Sequence, residues 1–146
     1  MLRLFYLSNT IIVFIMFLIV AVVNIIFSVH FFTVLLAGVV FTSFLHSLNF
    51  KNYTALLFSI FAFVFIEIIN GLNIGSLSLL SFFIYTFILP KIGNYLKSKV
   101  FYYGLLNTIF YIGVFFLFSI NSEINNILIS KIILNLILDI FIVSFL

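Results

Sequence analysis

The sequence predicts an all-α, polytopic membrane protein. It reads as one transmembrane helical domain, residues 1–146, with six transmembrane helices and both termini cytoplasmic. Three observations carry this expectation. Hydrophobic residues make up 66% of the chain and charged residues 6%, whereas a soluble domain keeps about a quarter of its residues charged. The mean hydropathy is +1.50. Finally, polar breaks divide the chain into six apolar segments. Each is near the roughly 20 residues a helix needs to cross a hydrocarbon core of about 30 Å.

The first span, 10–28, follows a basic N-terminal segment that imitates a secretory signal. Its apolar run outlasts a typical signal core and no A-x-A cleavage site follows, so it reads as a retained span. Ser28 and His30 separate it from the second span, 31–47. Lys51, set between two asparagines in NFKN, marks the break before the third, 53–70. NGLNIG, with two Asn and two Gly, turns the chain into the fourth, 75–90, which closes at Pro90, the one proline. The basic segment Lys91–Lys99 precedes the fifth span, 100–120, and NSEINN precedes the sixth, 127–146.

Six spans place Arg3, Lys51, Lys91, Lys97 and Lys99 on one side. The opposite loops carry no Lys or Arg and include Glu123. The positive-inside bias assigns the basic side to the cytoplasm, and one span more or fewer would scatter these residues over both faces. Localisation is then the inner (cytoplasmic) membrane, as a multi-pass protein. Three lysines in the 91–99 loop attract anionic lipid and set topology.

Several function classes lack their residues. There is no cysteine, hence no disulfide or thiolate chemistry. A net charge of +3 from six basic and three acidic residues makes no nucleic-acid surface. No Ser stands in G-x-S-x-G, and neither a P-loop nor a dinucleotide fingerprint occurs. His30 and His46 fall at opposite membrane edges, and no His/Cys/Glu cluster has metal-ligand spacing. The expectation is a non-enzyme with no cofactor and no metal.

What remains is a small set of polar residues at membrane depth. An ionised side chain at the centre of a span costs on the order of 2.5–3.5 kcal/mol, so each one needs a remedy. Lys131, Asn135 and Asp139 are spaced i, i+4, i+8, forming one stripe on one helix face that must look into the bundle. Glu67 and Lys131 lie at similar depth near the external side, which motivates an ion pair, with Asn135 and Asp139 extending the network inward. The alternative is that Lys131 snorkels to the headgroups while Glu67 finds backbone amides at the adjacent turn.

Glu67, Gly71 and Gly75 form E-x-x-x-G-x-x-x-G, with Asn70 and Asn73 bunched at the turn. The two glycines let the chain reverse tightly between the third and fourth spans. The stretch IEIINGLNIGSLSLLSFFIYTF resembles the central signature of the MreD family, the small multi-span component of the bacterial rod-shape machinery. That signature has an acid near a span end, Gly four residues on, a second Gly four beyond, then an apolar span ending in a basic loop. Glu67, Gly71, Gly75 and Lys91 fall on those positions. The chain departs where the family usually has Asp for Glu67, Gly near Val64 and Pro at Asn73.

The resemblance implies a non-enzymatic scaffold of cell-wall elongation. Its implied partners are a bitopic MreC-like membrane protein, an MreB-like filament and cell-wall synthases, beside the lipid bilayer itself. It also implies a fold similar to the six-helix substrate-binding subunits of vitamin transporters. Such a scaffold needs a lipid-embedded groove for a partner helix, for which Ala37, Gly38, Gly104, Asn107 and Gly113 are candidates. The runner-up is a substrate-binding subunit of a small-molecule (vitamin) transporter, with Glu67, Asn70, Asn73 and Lys131 furnishing an external polar pocket. An ion-conducting oligomer is a third class, for which only the sixth span shows a clear polar stripe.

Overall fold

The computed structural model describes residues 10–29, 36–92, 99–121 and 126–145. The expectations that fall on Arg3, His30, Lys97 and Glu123 lie outside these residues. Among the described residues the secondary structure is entirely helical, in six helices: α1 (Thr10–Val29), α2 (Ala37–Asn49), α3 (Tyr53–Asn70), α4 (Ser76–Ile92), α5 (Lys99–Asn121) and α6 (Asn126–Phe145). Five of them match the predicted segments to within two residues at each end; the second, expected over 31–47, begins at Ala37 instead, with 31–35 outside the described residues. Two stretches, Tyr53–Asn70 and Phe101–Ile120, are long and apolar enough to cross a membrane.

The shortest helix is the hub. α2 packs against α1, α3, α4, α5 and α6, and every residue from Ala37 to Ser47 is buried. A helix enclosed on all sides has no solvent face on which to place its polar groups, so these must be satisfied internally. Thr42 Oγ1 donates to the Val39 carbonyl at 2.8 Å, and Ser47 Oγ to the Ser43 carbonyl at 2.8 Å. Ser59 Oγ of α3 meets Ser43 Oγ at 3.4 Å. His46 Nε2 and the Tyr103 hydroxyl of α5 are 3.0 Å apart. The small residues Ala37, Gly38 and Ser43 also allow neighbouring helices to approach α2 closely.

An aromatic column ties α2, α3 and α5 together. Phe41 and Phe110 stack with ring centroids 4.5 Å apart, Phe63 lies 6.1 Å from Phe110, and Phe44 lies 5.9 Å from Phe63. Offset stacks and tilted pairs of this kind are worth about 0.5–1.5 kcal/mol beyond their buried area.

The turns are specified by local chemistry. α2 ends in a Schellman closure: the Asn52 amide donates to Ser47 O at 2.9 Å and the Lys51 amide to Leu48 O at 3.2 Å. Lys51 occupies the left-handed position there, at φ 55°. Asn52 then opens α3, its Oδ1 accepting the Ala55 amide at 3.2 Å. α4 is α-helical over Ser76–Phe83, π-helical over Ile84–Ile88 and α-helical again over Leu89–Ile92. Pro90 has no N–H to offer and its ring would clash with the carbonyl four residues earlier. The wider π turn, in which the Leu89 amide donates to Ile84 O, relieves that clash.

Beside its apolar core the bundle buries several polar side chains and leaves many large apolar ones exposed. Asn24, Thr42, Ser43, Ser59, Glu67, Ser81, Asn107, Asn135 and Asp139 are buried. Ile19, Val22, Ile26, Phe61, Leu79, Phe87, Phe116 and Phe141 are exposed.

Candidate functional site: two buried carboxylates

Glu67 sits in the last turn of α3 with a relative exposure of 0%. Its backbone and its side chain do different work. The Glu67 carbonyl accepts the Leu72 amide at 2.9 Å and Ile68 O accepts the Gly71 amide at 3.4 Å, the pair of bonds that defines a Schellman closure. Gly71, at φ 68°, supplies the left-handed residue this closure requires.

The carboxylate reaches forward to the next helix. Oε2 accepts the Gly75 amide at 2.7 Å, and Oε1 accepts the Leu77 amide at 2.5 Å and the Ser76 hydroxyl at 3.2 Å. These donors lie at the start of α4, where amides have no partner within their own helix and the helix dipole favours negative charge. Gly75, at φ 90°, is the N-cap of α4 and has no side chain with which to cap it. Glu67 therefore acts as a cap supplied from the preceding helix.

This corrects the expected Glu67–Lys131 pair. The hydrogen bonds of the Glu67 carboxylate all run to the turn and to α4, and no ion pair to Lys131 forms. Lys131 is half-buried on α6, a helix whose partners are α5 and α2 rather than α3. Two backbone amides already delivered by the turn cost nothing further to order, whereas a long lysine would have to be held in place.

The other turn asparagines play local parts. Asn70 Nδ2 donates to Ile66 O at 2.7 Å, and Asn73 O accepts the Ser76 amide at 3.1 Å.

The second carboxylate is Asp139, also at 0% exposure. Its Oδ2 accepts the Gly38 amide of α2 at 2.7 Å and the hydroxyl of Tyr111 from α5. Three helices thus meet on one oxygen. Gly38 is required by space: a Cβ there would stand 2.8 Å from Asp139 Oδ2, 3.1 Å from Asp139 Cβ and 3.1 Å from Asn107 Oδ1. Asn135, one turn before Asp139, is buried as well, and its Nδ2 donates to Lys131 O at 2.9 Å.

The predicted residues therefore separate into two groups. Glu67, Gly71 and Gly75 come together at the α3–α4 turn. Asn135 and Asp139 point into the bundle among α2, α5 and α6. Of the residues expected to line a partner groove, Ala37, Gly38 and Asn107 are enclosed in the bundle, and Gly113 packs on Leu80. Gly104 has open space beside it. Tyr111 went unnoticed in the sequence. The signal for it was its spacing from Asn107, i and i+4 on one face of α5, matching Asn135 and Asp139 on α6.

An apolar groove of about 260 Å³ runs between α5 and α6, lined by residues that include Tyr111, Phe115, Ile132 and Leu136. Among the described residues no group of three or more His, Cys, Asp or Glu side chains is placed to hold a metal ion. Comparison of the chain with protein-family models, with curated proteins and with solved structures finds no match.

Proposed function

We propose that this chain is a non-enzymatic integral membrane scaffold of the MreD type. In this reading six spans cross the inner membrane with both termini cytoplasmic, and the bundle receives a bitopic partner of the MreC kind. The observation that carries it is the Glu67–Gly75 unit. The residues of the family-like signature, Glu67, Gly71 and Gly75, are joined by hydrogen bonds and backbone conformation into one closed turn. Such a signature has a physical reason to exist as a set, because each member is needed for the other two to be useful.

The apolar exterior and the buried polar side chains support the membrane setting, since hydrocarbon solvates the former and cannot satisfy the latter. The same geometry weighs against the small-molecule transporter subunit. That reading draws its pocket from Glu67, Asn70, Asn73 and Lys131; the Glu67 carboxylate and the Asn70 amide nitrogen are turned to the chain's own backbone, while Asn73 stays exposed.

The test is co-purification of the full chain, in mild detergent, with the MreC-type protein of the same cell, together with cell shape on depletion. The expected result is a stoichiometric complex and loss of rod morphology. Stabilisation by a vitamin-sized solute, with no complex and normal shape, would replace this reading with the transporter one.

A further inference from the structure

The Asp139 cluster holds more hydrogen-bonding capacity than the protein uses. Asp139 Oδ1 and both amide atoms of Asn107 have no hydrogen-bonding partner within the described residues, although both side chains are at 0% exposure. The two side chains flank the same point on α2, within 2.8 Å and 3.1 Å of where a Gly38 Cβ would stand. Oδ2 is already held by two donors, the Gly38 amide and the Tyr111 hydroxyl. Those two bonds fix the carboxylate and leave Oδ1 for something else.

Charge decides what that something is. No cationic side chain is bonded to Asp139. Lys131 stands eight residues away on α6, about 12 Å along the axis, and His46 is as far from Gly38 on α2 and turned to Tyr103. Among the described residues, Tyr111 is the one titratable group of the packed helices that faces the carboxylate. An uncompensated buried charge costs more than an unpaired buried amide. A water molecule would answer the orphaned oxygens and leave the charge in place. A single positive charge would answer the oxygens and cancel it.

We propose that Asp139 and Asn107 form a buried site for one monovalent cation, a proton or an alkali metal ion, centred on the unpartnered Asp139 Oδ1, with the unpartnered Asn107 amide beside the same Gly38 position. Tyr111 and Gly38 are positioning groups that aim the carboxylate. The site is built from α2, α5 and α6, so it stands or falls independently of the scaffold reading and of the Glu67 turn.

The experiment is thermal unfolding of the full chain in lipid nanodiscs, starting in choline chloride at neutral pH. Na⁺ or K⁺ is exchanged for choline at constant ionic strength in one arm, and the pH is lowered in choline alone in the other. A rise of about 5 °C at saturation is expected in one arm. The metal arm identifies an alkali ion and the acid arm a proton. Asp139→Asn should abolish the rise, because the substitution removes the charge that needs cancelling. Asn107→Leu should keep the fold and shift the midpoint of the response by about tenfold or more, and it carries the test if Asp139→Asn does not fold. A flat response in both arms, a response that survives Asp139→Asn, or an unshifted midpoint in Asn107→Leu would overturn the proposal.

Discussion

The Gly75 amide donates to Glu67 Oε2 at 2.7 Å, across a turn that the Glu67 carbonyl itself closes by accepting the Leu72 amide at 2.9 Å. One residue thus terminates α3 with its backbone and initiates α4 with its side chain. The orphan carbonyls at the end of α3 accept the amides of the turn, and the orphan amides at the start of α4 donate to the Glu67 carboxylate. A charge that sequence alone marks as expensive is stabilised by three donors and a helix N-terminus.

Removing that carboxylate should be costly, and removing Lys131 should not. Glu67→Ala strands the buried Leu77 amide and the half-buried Gly75 amide, at about 1–3 kcal/mol for the buried one and less for the other, so a loss of about 3 kcal/mol is expected. Glu67→Gln keeps one acceptor oxygen and should lose roughly half as much. Lys131→Gln is expected to change stability by less than about 0.5 kcal/mol. The charge-swapped double variant, Glu67→Lys with Lys131→Glu, should be as damaged as Glu67→Lys alone. Unfolding in mixed micelles reads all four, and recovery in the double variant would restore the ion pair that the structure replaces.

Gly71 and Gly75 are needed for conformation and not for space. A Cβ at either position meets nothing within 4 Å, but both sit at positive φ, 68° and 90°. Alanine at each should cost about 1–2 kcal/mol from the left-handed backbone alone. Asn should be the better tolerated replacement at Gly71, since it visits this conformation more readily. Equal damage from Ala and Asn at Gly71, measured by the same unfolding assay, would show that something other than backbone conformation is at stake.

The fold was legible because hydropathy and turn chemistry agree. NGLNIG announced the α3–α4 reversal and NFKN the α2–α3 turn, whereas Pro90, expected to close the fourth segment, lies inside α4, which runs on to Ile92. Of the stripe Lys131, Asn135 and Asp139 that spacing predicts, the last two are buried and Lys131 is half-buried. What the sequence concealed was who partners whom. Glu67 and Lys131 are the obvious pair in a list of charges, and spacing alone could not choose between that pair and backbone amides at the adjacent turn, which are the partners Glu67 takes. Likewise nothing in AGVVF distinguishes the Gly38 amide as a ligand of a side chain 101 residues away. The central place of α2 was obscured by its shortness and its polar residues, the two properties that let it be enclosed on all sides.

Tyr111 and Asp139 should behave as a coupled pair. Tyr111→Phe retains the ring packing and removes one of two donors to Oδ2, for which a loss of about 1.5–3 kcal/mol is expected when the acceptor is charged. In an Asp139→Asn background the same change should cost about 1 kcal/mol or less, because a neutral amide oxygen is the weaker acceptor. The difference is the coupling energy that a double-mutant cycle reports. Strictly additive effects would mean that the tyrosine contributes packing only.

Three glycines provide the last prediction, because the same substitution should have opposite signs at different depths. All three lie within helices, so alanine brings a propensity gain of up to about 1 kcal/mol at each. At Gly104 nothing stands within 4 Å of the new methyl group, and Gly104→Ala should stabilise by most of that gain. At Gly113 the methyl would fall 2.6 Å from Leu80 Cδ1 and 2.7 Å from Leu80 Cδ2. Those are the far ends of a side chain that can rotate, so the crowding should roughly offset the propensity and leave stability near that of the parent. At Gly38 the methyl would meet Asp139 Cβ and Oδ2 and Asn107 Oδ1, and the Asp139 carboxylate is anchored by Tyr111 and by the Gly38 amide itself. Relief there requires α2 to back away from α5 and α6, breaking the bond to its own amide, and about 3 kcal/mol of destabilisation is expected. The order Gly104→Ala above Gly113→Ala above Gly38→Ala, in one unfolding assay, is the expected outcome. An unchanged Gly38→Ala variant would mean that the three-helix junction at Asp139 is looser than its distances require.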